Sequence, residues 1–148
     1  MSKPSEIFTA LKTLLQNSSH LSYVNDSLIF LDGEKEFNIF PCIVITPGTG
    51  GENEAAYPKV RITDKVVIEL LIDVKNKTKQ IVGDSIVKGI TDVKNDLCLA
   101  LDSDVTLGGK CQKMSIVTHN YIKYVDYPIR SVEVIVDILY EQTKGTRT

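Results

Sequence analysis

Cysteine is scarce, histidine scarcer, and no hydrophobic run is long enough for a membrane span. Each shortage removes a class of function. The three cysteines, Cys42, Cys98 and Cys111, are widely spaced and odd in number, which does not read as a disulfide framework. The N-terminus, MSKPSEIF, shows no apolar signal core followed by a cleavage site, so a reducing cytoplasm is expected. The longest apolar run, residues 66–72, is interrupted by Glu69 and falls far short of the ~20 residues a bilayer requires. Charge of one sign is lacking too. Against 17 Lys and Arg stand 19 Asp and Glu, a net charge of -2, without the basic stripe that displaces counterions from nucleic acid. Lys75, Lys77 and Lys79 come closest, but Asp73 precedes them and they fall where a strand gives way to a turn.

Catalytic fingerprints are missing as well. A phosphate-binding loop needs glycines at set places ahead of a helix and a lysine that reaches the phosphates. The glycines of residues 48–51 have no following lysine and lead into a strand, while Gly108-Gly109-Lys110 lacks the leading glycine and continues into Cys111. Zinc would want soft or imidazole ligands in close pairs, and there is no CxxC, HxxxH or HExxH. Cys111 and His119 combine a nucleophile type with a base type, but no oxyanion motif accompanies them. Cys42 and Cys98 fall in apolar patterns where cysteine acts as a small hydrophobe, and His20 and His119 read as structural histidines. The pairs Asp92/Asp96 and Glu133/Asp137 lie on solvated faces, which would not split their pKa values as acid–base work demands. The expectation is a non-enzyme with no catalytic residue, cofactor or metal.

What is present is a folded domain of 148 residues, 43% hydrophobic and 24% charged, enough to bury roughly 70% of its unfolded surface. Ile7, Phe8, Leu11, Leu14 and Leu15 share one helical face behind Pro4 and Glu6, predicting a helix over Lys3–Asn17 that ends at Asn17, Ser18 and Ser19. Residues 27–31 read as extended, with Asp32-Gly33 as a turn. Residues 40–46, FPCIVIT, are a buried strand closed by Pro47-Gly48. Residues 48–57, GTGGENEAAY, have nothing to bury and are expected to form a long mobile excursion. Val66, Ile68, Leu70, Ile72 and Val74 alternate against Glu69, Asp73 and Lys75, the period of a half-buried strand.

Val82, Ile86, Ile90, Val93, Leu97 and Leu101 then hold one stripe of a helix of about five turns. Asp84 and Lys88 would form an i,i+4 pair on it, and Gly83 and Gly89 would each cost it about 1 kcal/mol. Residues 115–125 and 131–140 form two more strands around Tyr127-Pro128. On the last, Val132, Val134, Val136, Ile138 and Tyr140 oppose Glu133 and Asp137. The predicted fold is a single α+β domain, residues 1–148. It has a four-stranded, mostly antiparallel sheet covered by one long helix, with a short N-terminal helix and a long projecting hairpin loop. Val67 and Leu71, with Ile135 and Leu139, put apolar groups on the second sheet face too. Such a face suits either a subunit interface or burial within the chain.

The runs FPCIVITPGTGGENEAAY, VVIELLIDVKN, QIVGDSIVKGITDVKNDLCLALDSD, LGGK and VDYPIRSVEVIVDILYEQ, in this order and spacing, resemble the tail terminator (tail completion) proteins of long-tailed bacteriophages. The likeness spans nearly the whole chain and is one of order and texture rather than of a catalytic motif. It implies a homo-oligomeric, hexameric ring at the head-proximal end of the virion tail, assembled in the host cytoplasm. That ring would cap the major tail tube protein, stop polymerisation and dock the neck or head-connector protein, with DNA only passing through its lumen. By position, the loop of residues 48–57 and residues 58–64 would be the projecting hairpin. Glu52, Glu54 and Tyr57 would then lie at a subunit or tube interface, and Lys59, Arg61 and Arg130 would pair with acids of adjacent subunits. The rival readings are a head–tail connector of the same particle, a small cytoplasmic enzyme using Cys111 and His119, and a ligand-binding module.

Overall fold

In a computed structural model, which describes residues 1–36, 39–124 and 128–148, two helices lie on one face of a sheet. The elements are α1 (Lys3–Asn17), β1 (Ile29–Leu31), β2 (Cys42–Glu54), β3 (Lys59–Asp73), α2 (Ile90–Asp102), β4 (Lys113–Lys123) and β5 (Ile129–Thr143). The strand order is β1-β2-β3-β5-β4, with β1 parallel to β2 and the other pairs antiparallel. The sheet is therefore five-stranded and mixed, where four mostly antiparallel strands were expected. The added strand, β1, is three residues long, too short for alternation to show. Val125 and Tyr127, at the predicted hairpin between the last two strands, lie outside the described residues.

α1 has the expected bounds because its signals are local. The Ser2 side chain accepts from the Ser5 N–H, Pro4 sits in the first turn, and Ile7, Leu11 and Leu15 face the core. The second helix departs from expectation: α2 begins at Ile90, so the predicted long helix loses its first two turns. Residues 80–89 instead form a strap folded against the start of α2. The Asp84 carboxylate accepts from the N–H groups of Ile86 and Val87 at 2.8 and 2.7 Å, closing a tight turn. The carbonyls of Gln80 and Ile81 accept from Ile90 and Thr91, two of the donors a helix start leaves unmet. Asp92 receives the N–H groups of Gly83 and Gly89 at 3.1 and 2.9 Å, where its charge also suits the helix dipole. A side chain at Gly83 would strike the Val87 carbonyl. The glycines thus permit close approach of two backbone segments. The expected Asp84–Lys88 pair does not form: Asp84 pairs with Lys79, and Lys88 with Asp96 at 2.9 Å.

The expected mobile excursion is also absent. Residues 50–54 continue β2 as an antiparallel partner of residues 60–64 after a bulge between Pro47 and Gly50, and the chain turns tightly at residues 55–58. The pairing comes from the partner strand, where Val60 and Ile62 extend the alternation and are buried. β5 flanks this hairpin as far as Thr143. The projection is thus a three-stranded arm.

Between helices and sheet lies the main core, with Leu11, Leu15, Ile68, Leu70, Val93, Leu97, Val134 and Val136 inaccessible to solvent. On the other face Phe30, Cys42, Val44 and Leu71 form a smaller cluster near the start of β2, covered by Phe40, Tyr124 and Ile129. This half of the second face is buried within the chain. Val67, Ile135 and Leu139, further along it, stay half-buried.

The shortened helix separates two residues of one sequence stripe, since Ile86 is 89% exposed and Ile90 2%. Ile90→Ala is expected to cost about 2–5 kcal/mol and Ile86→Ala less than about 0.5 kcal/mol, read by urea denaturation. Equal losses would restore the five-turn helix.

Candidate assembly surface

The arm brings five of the six predicted interface residues together. The Glu52 carboxylate takes two hydrogen bonds from the Arg147 guanidinium, at 2.6 and 3.2 Å. Glu54 faces Lys144 at 3.7 Å. Tyr57, at the tip, is 88% exposed. Lys59 donates to the Thr143 hydroxyl at 3.0 Å, and Arg61 lies 3.6 Å from Glu141. Arg130 is elsewhere: at the opposite end of the sheet its Nε donates to the Oε1 of buried Gln80 at 2.9 Å. Gln80 in turn donates to the Val74 carbonyl, so Arg130 ties the strap to the sheet. Beside the arm is a groove of ≈ 550 Å³ that includes Ser2, Asp64, Tyr140 and Arg147. Across it the Tyr140 hydroxyl donates to Asp64 at 2.7 Å. Burial, then this carboxylate, raise the Tyr140 pKa.

A second feature spans the helix-free face, and residue-by-residue reading missed it. Arg61 stands directly across from Glu141, Lys65 from Asp137, and Glu69 from Glu133. Two rungs carry opposite charges, with Lys65 to Asp137 at 2.9 Å. The third sets like charges opposite, which costs stability. Donors of neutral character relieve it: the Tyr124 and Ser131 hydroxyls both donate to Glu69 Oε2, at 2.7 and 2.8 Å. Burial, and then Glu69, raise the pKa of Glu133, while burial and the bond to Glu69 push Tyr124 up to about 12. The signal was available in the sequence: charges recur every four residues on β3 (61, 65, 69) and on β5 (133, 137, 141).

No arrangement for nucleophilic chemistry forms at Cys111 and His119. Cys111 is buried, its thiol directed at the Val105 carbonyl, and burial raises its pKa. His119 is exposed and packs edge-on against Tyr121. Six residues of strand, roughly 20 Å, separate His119 from Lys113, where β4 begins just after Cys111. Burial also pushes the Cys42 thiol up to about 12. Among the described residues no group of three or more His, Cys, Asp or Glu is placed to hold a metal ion, and no helix is long and apolar enough to cross a membrane.

No protein-family model and no curated protein matches the chain by sequence. A similar solved structure is a chain of the virion of a native gene transfer agent (GTA) particle. Its TM-score is 0.56 at 11% identity, covering 90% of this chain and 92% of that one. At that identity the likeness is one of fold, and it extends over both chains almost end to end.

The like-charge rung has a pH signature. An acid whose pKa rises on folding holds its proton more tightly in the native state, so stability falls as pH climbs past the unfolded value of 4.5. The loss is complete above the folded value. Glu133→Gln is therefore expected to raise the melting temperature at pH 7, with the gain vanishing below the unfolded value. Thermal scans across pH check this, and a gain that persists in acid would contradict it.

Proposed function

We propose that the chain is a structural component of a phage-like virion, and within it the tail terminator. In this reading, copies close into a hexameric ring on the head-proximal end of the tail tube, halt its growth and present the docking surface for the neck or head connector. The observation that carries the proposal is the fold shared over 90% of this chain with a chain of a virion particle. The order of elements that resembles tail terminators supports it, as do an exposed charged arm ending in Tyr57 and the lack of assembled catalytic chemistry at Cys111 and His119. Work by shape explains why the projecting groups are held by surface ion pairs: Glu52, Glu54 and Arg61 can exchange partners at little cost, since exposed pairs contribute ~0–1 kcal/mol. Repeated heterologous contacts close a ring when the rotations sum to a full turn, and a capped end then lacks the face that adds the next tube ring.

The neighbour's description names a particle and not a part of it, which favours keeping one second reading, a head–tail connector of the same particle. The two differ in what they bind first.

Light scattering and negative-stain imaging of the protein, alone and with purified tail tubes, test the proposal. A ring seated on one tube end is expected; binding to connectors with no affinity for tubes would select the second reading. Arg61→Glu and Glu52→Lys should each weaken ring formation or tail joining at least tenfold while leaving the melting temperature within a few degrees. Unchanged assembly in both variants would remove the arm from the interface.

A further inference from the structure

Among the described residues, both lateral edges of the sheet lack a neighbouring strand over most of their length. β1 covers β2 only at Ile43, Val44 and Ile45, so among the described residues no strand lies beside the outer edge of the arm. β4 is the last strand on the other side. Such edges present unpaired N–H and C=O groups, which an added strand satisfies. A bulge interrupts each edge once, between Pro47 and Gly50 on β2 and between Ile116 and Thr118 on β4. Regular, pairable stretches remain at residues 50–54 and 118–123.

We infer that neighbouring copies join by sheet continuation, the arm edge of one copy pairing with the β4 edge of the next. The inference rests on the ring reading and specifies its contact. A second copy is the occupant for three reasons. The first is direction. β2 opposes β3, β3 opposes β5, and β5 opposes β4, so β2 and β4 run in opposite senses. Rotation about an axis near the strand direction brings the two together as an antiparallel pair. The second is placement: edges on opposite sides of one molecule give a head-to-tail contact, the type that repeats into rings.

The third is chemistry. Residues 47–54 carry Glu52 and Glu54 and no base, whereas residues 113–123 carry Lys113 and Lys123 and no acid. Glu54 has a side chain 86% exposed and Lys144 no nearer than 3.7 Å, which leaves it open to a neighbour's cation. Val117 and Tyr121, about half exposed on β4, give that edge apolar groups that an added strand would cover. Gly51 is level with Thr63, Leu139 and Lys113, so the arm edge starts where β4 starts and extends away from it. Joining the edges therefore inclines the strands somewhat to the ring axis, as closure of a barrel also requires.

Hydrogen exchange of the dilute chain and of the assembled form, alone or on tail tubes, reads both edges directly. Residues 50–54 and 118–123 are expected to exchange at least tenfold more slowly on assembly. Independently, Asn53→Cys combined in turn with Lys113→Cys, Ser115→Cys, Thr118→Cys and Asn120→Cys, all on the helix-free face, should yield disulfide-linked ladders of copies for one register, with Asn53→Cys alone as control. Rings whose two edges exchange as in the dilute chain, and which no pair cross-links, overturn sheet continuation and leave the ring reading standing. A chain that never assembles, even on tail tubes, overturns both.

Discussion

The antiparallel ladder between β3 and β5 determines where everything else can go. It runs unbroken from Lys59 opposite Thr143 to Asp73 opposite Ile129. Side chains alternate across a strand, so this one register sends Ile62, Val66, Ile68 and Leu70 with Val132, Val134, Val136 and Ile138 toward the helices. It sends Arg61, Lys65, Asp137 and Glu141 to the other face. A slip by one residue would reverse both sets. Magnitudes decide which set governs. Burying each aliphatic side chain contributes about 1.5–3 kcal/mol, an exposed ion pair ~1 kcal/mol at most. The core therefore imposes the register, and two charged rungs merely agree with it. Glu69 and Glu133 mark where they do not agree: the core wins, like charges face each other, and two hydroxyls are recruited to Glu69.

The same ranking explains the second helix. A five-turn α2 would keep Val82 and Ile86 in the apolar stripe, but helix propensity at Gly83 and Gly89 opposes it by about 1 kcal/mol each. The strap offers an alternative rich in hydrogen bonds: Asp92 takes two backbone donors, Asp84 two more, and the carbonyls of Gln80 and Ile81 cover the helix start. Gln80 and Arg130 then lock the strap to the ends of β3 and β5. Val82 and Ile86 are left outside, 66% and 89% exposed.

Local features were legible and non-local ones were not. α1 could be read to the residue because its cap, its proline and its terminating Asn17 and Ser18 are all written next to it. β3 and β5 followed from alternation. The arm could not be read from GTGGENE, because those residues form a strand only through residues 60–64 across the turn. The strap escaped for a related reason: a three-and-four spacing is the same in sequence whether the residues are helical or not. Of the arm residues, Glu52, Glu54, Tyr57, Lys59 and Arg61 gather because they are close in sequence. Their partners Glu141, Lys144 and Arg147 come from the far end of the chain and had no local signal, and Arg130 was grouped with them by charge alone.

On the proposed reading, a body that ends one polymer and begins the attachment of another needs two ends of different chemistry. Here the arm tip precedes β3 and the strap follows it, so the fifteen residues of that strand, roughly 50 Å at 3.3–3.4 Å each, keep them apart. One end offers a tyrosine among charged groups, Glu54, Lys59 and Arg61. The other offers a hydrogen-bonded strap presenting Ile81, Val82 and Ile86 to solvent. Because the lateral edges lie between these two ends, copies joined side by side would align all their arms at one rim and all their straps at the other. In the ring proposed, the strap end stands clear of the lateral contact, whereas Glu54 serves both the arm tip and the lateral edge.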